Sequence, residues 1–316
     1  MDFYKNKILS GSRNTAISIW DMDSGECIQT LRGHRNAVKC LEISGDLLVS
    51  GSEDRTIKVW DLNKLKNVRS LIAHTDVISC LKVVGSTIFS GSFDNTIKIW
   101  DMNQESSVPQ CTLMGHNGNV LCIDALATKI YSGAYDNLIK VWDTTTGKCT
   151  QSIEGHSYYI RCVKASENRL ISGSYDKTIK IWDPKSFECV ATLTDHEDYI
   201  RCIEVIGDVM ISGSNDKTIK IWDLRNLKCK HTLVGHHDFI TCLKVVGSSI
   251  ISGSLDRTIK IWAGEESKNA IPSSRYRRSV SKIVTPRDNS TPRKIRSGER
   301  NKNYQSEDDD ASSNVV

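Results

Sequence analysis

The chain has 316 residues, of which 39% are hydrophobic and 25% charged, with a formal net charge of +4. These proportions fit an ordinary globular chain. No apolar run nears the roughly 18–20 residues of a membrane-crossing helix, and Met1–Ser10 lacks the apolar stretch of a secretory leader, so neither is expected. The 11 cysteines are odd in number and form no C-x-x-C pairs. That pattern argues against a disulfide framework or a zinc site and points to a reducing compartment, cytoplasmic or nuclear.

Charge is unevenly spread. Residues 1–263 hold 31 Lys and Arg against 30 Asp and Glu, whereas residues 275–302 hold ten basic residues against Asp288 and Glu299. The acidic run Glu307, Asp308, Asp309 and Asp310 follows. Such a tail reads as a solvated linker; the competing reading is nucleic-acid association through its basic block.

In chain order, the first 263 residues fall on one lattice, the signature of a repeat. Trp20, Trp60, Trp100, Trp142, Trp182, Trp222 and Trp262 recur in steps of 40, 40, 42, 40, 40 and 40. Each stands ten residues after a serine that opens Ser-Gly-Ser or Ser-Gly-Ala: Ser10, Ser50, Ser90, Ser132, Ser172, Ser212 and Ser252. Four residues beyond that serine comes Asn14 in the first copy, then Asp54, Asp94, Asp136, Asp176, Asp216 and Asp256. His34, His74, His116, His156, His196 and His236 complete the pattern. Thr-Ile-Lys-Val-Trp and its relatives alternate β-branched with polar residues or Trp, the period of a strand, and Ser-Gly-Ser-x-Asp supplies a turn. A few short strands per copy cannot bury their own faces, so successive copies must stack.

With Gly-His, Ser-Gly-Ser-x-Asp and Trp-Asp recurring in fixed order, the sequence resembles the WD-repeat β-propellers over residues 1–263. The resemblance implies an all-β, seven-bladed propeller. Its repeat rhythm is similar to the propellers of F-box/WD and RING/WD ubiquitin ligases and of myosin heavy chain kinases, in which the propeller is a recognition module. It also implies that the His, Ser, Asp and Trp of one blade form a hydrogen-bonded chain, for example His156, Ser172, Asp176 and Trp182. The residue types suit this: Trp only donates, Asp only accepts, and His and Ser do both. Ser, His and Asp together also suggest a catalytic triad, but a triad needs one exposed, activated nucleophile and here near-identical copies recur. Histidines one per blade should not converge on a metal. No catalytic residue, cofactor or metal is therefore expected. The cysteines, such as Cys40 six residues after His34 and Cys27 seven after Trp20, read as small buried hydrophobes.

In related propellers two positions per blade point at the rim of the central channel, the residue before the turn Asp and the residue five after the lattice His near the start of the innermost strand; two residues earlier the same strand presents a third variable position, Tyr159, Tyr199 and Phe239 among its members. These positions vary between blades while the lattice does not, as expected if scaffold demands are shared and recognition demands are local. They give a candidate partner-binding set of Arg13, Lys39, Tyr135, Tyr159, Arg161, Tyr175, Tyr199, Arg201 and Phe239. Tyr and Arg dominate interface energetics, and Arg chelates carboxylate or phosphate. The expected partners are proteins with acidic or phosphorylated segments, not small-molecule substrates. The function read from this is a non-catalytic interaction scaffold or adaptor, in its finer form substrate recognition for a ubiquitin ligase. The alternative is a targeting module related to the kinase-linked propellers.

The ends read as incomplete. Aligning Ser10 with Ser252 sets Met1 level with Leu243, so the first blade lacks most of its inner strand. Either the chain is part of a longer protein, the reading preferred here, or residues 264–285 supply ring-closing strands, Ser279 to Thr285 completing blade one. Residues 286–316 read as a disordered basic-then-acidic tail.

Overall fold

The structure, a computed structural model, describes residues 1–104 and 106–263. The expected ring-closing strands of residues 264–285 and the expected disordered tail of residues 286–316 lie outside the described residues. Within them, each repeat folds as an antiparallel meander. Blade one is β1 (Asp2–Tyr4), β2 (Lys7–Gly11), β3 (Ala16–Asp21) and β4 (Cys27–Arg32). Blade two runs from β5 (Val38–Ser44) to β8 (Lys66–Ile72), blade three from β9 (Ile78–Val84) to β12 (Cys111–Leu113), and blade four from β13 (Val120–Leu126) to β16 (Cys149–Ile153). Blade five runs from β17 (Ile160–Ala165) to β20 (Cys189–Leu193), and blade six from β21 (Ile200–Ile206) to β24 (Lys228–Val234). Blade seven has three described strands, β25 (Ile240–Val246), β26 (Ser249–Ser254) and β27 (Ile259–Ala263). The innermost strands touch in cyclic order, β1 meeting both β5 and β25, so the seven sheets form a closed ring. The architecture is the all-β, seven-bladed propeller that the repeats imply.

Blade one does have an innermost strand. β1 is three residues long where β5 and β9 have seven, and it pairs with β2 from Asp2 opposite Leu9 to Tyr4 opposite Lys7.

The core lies between blades. Ile179, Ile181 and Leu193 of blade five pack on Ile200, Ile203, Met210 and Trp222 of blade six. One face of each sheet is thus an aliphatic face and the other carries the Trp. The seam between blades seven and one is built alike, from Ile251 and Ile259 against Ile8 and Trp20, with Met1 and Phe3 packed on them. The glycine of Ser-Gly-Ser is what allows this approach. A Cβ on Gly173 would stand 2.6 Å from the Ile200 Cγ2 atom of the next blade and 2.7 Å from the Cys162 Sγ atom.

Polar atoms at this depth are tied into a chain. In blade five the Trp182 Nε1–H donates to Ser172 Oγ at 2.8 Å, Ser172 Oγ lies 2.7 Å from His156 Nε2, and His156 Nδ1 lies 2.7 Å from Asp176. Because Asp176 only accepts, Nδ1 carries the ring proton, and the serine hydroxyl donates to Nε2. The same chain recurs in blades two to seven through His34, His74, His116, His196 and His236. Among the described residues, blade one shows the Trp20–Ser10 bond alone of this chain, at 2.8 Å. The Asp also closes its turn: Asp176 accepts from the Thr178 N–H and hydroxyl, at 2.9 and 2.7 Å.

The cysteines divide. Cys80, Cys122 and Cys162 are buried beside the turn glycines, and Cys40, Cys202 and Cys242 are half-buried. Burial pushes the Cys80 thiol up to about 11 and the Cys162 thiol up to about 12, far from the thiolate form. The outer set corrects the sequence expectation of burial: Cys27, Cys149 and Cys189 are exposed, Cys111 and Cys229 half-buried. They lie at or next to the first residue of outer strands, which have sheet on one edge only and show much of their length to solvent.

Removing Ser172 Oγ strands both the Trp182 N–H and the His156 Nε2 acceptor. Ser172→Ala should cost about 2–4 kcal/mol, at ~1–3 kcal/mol for each unsatisfied group; Ser10→Ala, which strands one donor, should cost less, both read by urea unfolding. A second expectation concerns acid. Burial opposes ionisation of the turn aspartates, but bonds from His, the Thr hydroxyl and the backbone outweigh it, holding Asp216 down to about 2 against an ordinary 3.8. A depressed folded value means stability that is present above the ordinary value and is lost as pH falls from about 4 toward 2. Thermal melts across this range should show Tm dropping steeply, and His196→Gln should flatten the drop.

Candidate functional site

The rim is built on a repeated backbone device. Between Ile160 and Cys162 the pairing of β17 with its neighbour slips by one residue, leaving Arg161 out of the ladder as a bulge. The same slip leaves out Lys39, Ser79, Leu121, Arg201 and Thr241. A bulge bends the strand and re-aims the extra side chain. Ser79 and Thr241 turn their hydroxyls onto the carbonyls of Gly91 and Gly253, at 3.0 and 3.2 Å, and Leu121 is buried. Lys39, Arg161 and Arg201 are the cations of this set, and all three line the central channel, whose volume is about 220 Å³.

Above the bulge the two variable positions of each blade are held together. The Tyr175 N–H donates to the carbonyl of Tyr159 at 2.9 Å, and the Tyr135, Asn215 and Leu255 N–H groups donate likewise to Asn119, Tyr199 and Phe239. This fixes the aromatic rings as a continuous row across blades four to six. Tyr135 stacks on Tyr159 with centroids 4.0 Å apart, and Tyr175 on Tyr199 at 4.5 Å. Phe93 extends the row at one end, 6.1 Å from Tyr135. At the other, the Arg201 guanidinium lies 5.7 Å from the Tyr175 ring and 5.3 Å from that of Phe239, while its Nε–H donates to the buried Asn215. Arg161 donates to the Leu121 carbonyl at 3.4 Å. Cation–π contact and a fixed Nε hold the Arg201 fork in place. Burial and the charges of Tyr158 and Asp198 raise the Tyr199 hydroxyl above its ordinary range, so it remains a donor.

Tyr135, Tyr159, Tyr175, Tyr199, Arg201 and Phe239 thus form one contact chain. Lys39 stands apart in blade two, paired with Glu53 at 3.3 Å, and exposed Arg13 in blade one is outside the chain of ring contacts. Tyr158 is the residue that sequence reasoning passed over. It is 38% exposed and stacks on Tyr159 at 4.2 Å. Its signal was available: blades two, three, six and seven carry Asn36, Asp76, Asp198 and Asp238 there, each accepting from the next N–H. Blade five replaces that local cap with a ring.

Below the mouth, seven equivalent positions form a charged ring: Asp2, Glu42, Lys82, Asp124, Lys164, Glu204 and Lys244. Lys82 pairs with Asp124 at 2.9 Å, Lys164 with Glu204 at 3.1 Å and Lys244 with Asp2 at 2.8 Å. Asp2 also accepts from the Ile43 N–H at 2.8 Å. Blade seven is thereby linked through blade one to blade two. Signs alternate around the ring except at Asp2 and Glu42. Burial first, then the Asp2 charge, pushes Glu42 up to about 6.

Comparison with known proteins decides the family. The WD domain, G-beta repeat, matches residues 25–61, 65–101, 107–143, 147–183, 187–223 and 227–263, more than half of the chain. The chain belongs to the WD-repeat family. Among curated proteins it is similar to the nuclear distribution protein PAC1 of Zygosaccharomyces rouxii, 38% identical over 42 residues. That match is about one repeat long and covers 13% of this chain and 10% of the relative. Among solved structures it is similar to the computationally designed Ika8 protein, with a TM-score of 0.71 and 29% identity over 83% of this chain and 82% of that one. WD-repeat propellers are generally non-catalytic scaffolds.

The like-charge step in the ring has a measurable consequence. A folded value raised above the ordinary 4.5 means that Glu42 costs stability as pH rises through about 6. Glu42→Gln should remove that loss and stabilise the fold by about 1–2 kcal/mol at pH 7.5, with no gain at pH 4.5, as read by denaturant unfolding at both values.

Proposed function

We propose that this WD-repeat propeller is a protein-interaction scaffold whose channel mouth binds an extended segment carrying an acidic or phosphorylated side chain. The observation that carries the reading is the joining of the aromatic row to a fixed guanidinium. Arg201 is braced by Asn215 and flanked by the Tyr175 and Phe239 rings, with Arg161 on the same channel. A braced fork meets a carboxylate or phosphate with little further ordering cost, and the Tyr faces offer rigid apolar area to neighbouring side chains. The resemblance of the repeat rhythm to the F-box/WD and RING/WD propellers supports a finer reading, substrate recognition for a ubiquitin ligase. The kinase-linked propellers offer the same resemblance and a targeting role. The likeness to the nuclear distribution protein extends over about one repeat and supports the scaffold reading alone.

The test is a peptide array in which each sequence appears phosphorylated, acid-substituted and neutral. The wild type should retain a set of acidic or phosphorylated peptides over their neutral matches. Arg161→Ala with Arg201→Ala should weaken these by about tenfold or more, the scale of losing a charged hydrogen bond of ~1.5–3 kcal/mol. Tyr159→Ala with Tyr199→Ala should weaken binding to all three forms. Retention that ignores charge, or that survives both double variants, overturns the reading.

A further inference from the structure

The rings at the channel mouth fall into two stacks. Tyr175 and Tyr199 make a stack of two, 9° from parallel. In the other, Tyr159 is held between two rings: Tyr135 lies on it at 4.0 Å and 6°, and Tyr158 at 4.2 Å and 22°. Tyr158 therefore ends a stack of three, and its second face carries no ring. Tyr175 is 6.4 Å from Tyr158 and 6.2 Å from Tyr159, so it stands beside that pair and not beyond it. Tyr199 is 6.3 Å from Tyr158 and tilted by 32°, too distant to stack. Among the described residues no hydrogen bond reaches the Tyr158 hydroxyl, and the residue is 38% exposed. The fold does not ask for a ring here, since Gly118 holds the same place in blade four. An open phenol face takes a flat group, and its negative quadrupole favours a cation.

Charges around the row are sorted. Arg161 and Arg201 line the channel inside it. The connection from β20 to β21, residues 194–199, comes in from the outer edge of blade five and carries Asp195, Glu197 and Asp198. Asp195 and Glu197 are exposed and Asp198 is half-buried. Asp198 Oδ1 accepts from the Tyr199 N–H at 2.7 Å. Among the described residues no cation pairs with any of the three carboxylates. Burial first, then Tyr158 and Asp198, raise the Tyr199 hydroxyl, so ring and carboxylate both lie within electrostatic reach of that one group.

We propose that an arginine of the bound segment stacks on the open face of Tyr158 and turns its fork to Asp198 and Glu197. This rests on the reading of the mouth given above and narrows the partner from any acidic segment to one of mixed charge, with an acid for Arg201 and an arginine close by. A guanidinium suits the place better than an ammonium. It is flat, stacks on a phenol and keeps its N–H groups in the ring plane, where carboxylates meet them. The two seats lie on opposite sides of the row. An extended segment serves both, because its successive side chains point to opposite sides.

The test uses the full chain and two probes. The first is an array of short peptides with one fixed phosphoserine or glutamate, in which arginine, lysine, phenylalanine or alanine is placed in turn at each neighbouring position. In the wild type, arginine at one or two positions should raise retention about fivefold over alanine, and lysine by less. Tyr158→Ala should abolish that gain while the preference for the fixed acid stays, and so should Glu197→Gln with Asp198→Asn. Tyr158→Phe, which keeps the face, should keep the gain. The second probe is N-acetyl-arginine amide, titrated into chain labelled with fluorotyrosine and read by fluorine NMR, with the Tyr158 signal assigned by its loss in Tyr158→Phe. That signal should move with the arginine amide, and less with the lysine amide, whether or not any peptide is retained. Selection of the acid without selection of arginine overturns the proposal and leaves the reading of the mouth standing; selection of arginine without the acid does the opposite. A Tyr158 signal that the arginine amide does not move also overturns it. So does a gain that survives Tyr158→Ala, or a gain from phenylalanine equal to that from arginine.

Discussion

A sheet of three or four strands, each of three to seven residues, cannot cover either of its own faces, and everything else in this propeller answers that constraint. Each blade buries its aliphatic face against the Trp face of the next, as Ile179 and Ile181 do against Trp222. Close stacking demands a glycine where Ile200 presses on the turn at Gly173. It also puts the Trp182 N–H and the His156 ring beyond the reach of water, so both must be satisfied from within. The Trp–Ser–His–Asp chain is the consequence, and it ends on the carboxylate that also pins the turn.

A stack of this kind has ends unless it closes, and closure depends on few contacts. The aliphatic packing at the seam between blades seven and one resembles that elsewhere, but β1 is less than half the length of β5. Asp2 adds what the short strand lacks. Its carboxylate accepts from Lys244 on one side and from the Ile43 N–H on the other, doing across the seam what Asp124 does between Lys82 and Ala165. The cost is a second carboxylate beside Glu42.

Most of the fold was legible because the lattice residues are shared demands repeated many times. Seven Trp positions gave seven blades, and the donor and acceptor inventory of His, Ser, Asp and Trp gave their network. The rim was legible in part. Variable positions could be read by comparing repeats, yet Tyr158 escaped because it sits where other blades use Asn or Asp for a purely local cap. The bulge that turns Arg161 and Arg201 to the channel leaves no mark in residue type: Ser79, Leu121 and Arg161 share it. The exposed Cys27, Cys149 and Cys189 were misread because a lattice position fixes a place in the strand, while burial depends on whether another strand lies beyond it. The charged ring escaped for a related reason, since its members are forty residues apart and their signs acquire meaning only once the circle is closed.

The near-identity of the blades also bears on how the chain reaches this state. Ser-Gly-Ser-Tyr-Asp-Lys-Thr-Ile-Lys-Ile-Trp-Asp in blade five and Ser-Gly-Ser-Asn-Asp-Lys-Thr-Ile-Lys-Ile-Trp-Asp in blade six differ at one residue, Tyr175 against Asn215. A hairpin that borrowed its second strand from the neighbouring blade would gain almost the same pairing energy as the native one. The discrimination is therefore kinetic: strands in sequence order meet across turns of a few residues, whereas the wrong partner waits forty residues away. Refolding at high concentration, where a second molecule supplies equivalent strands, removes that advantage, and exchanged blades between molecules become the characteristic error of this sequence.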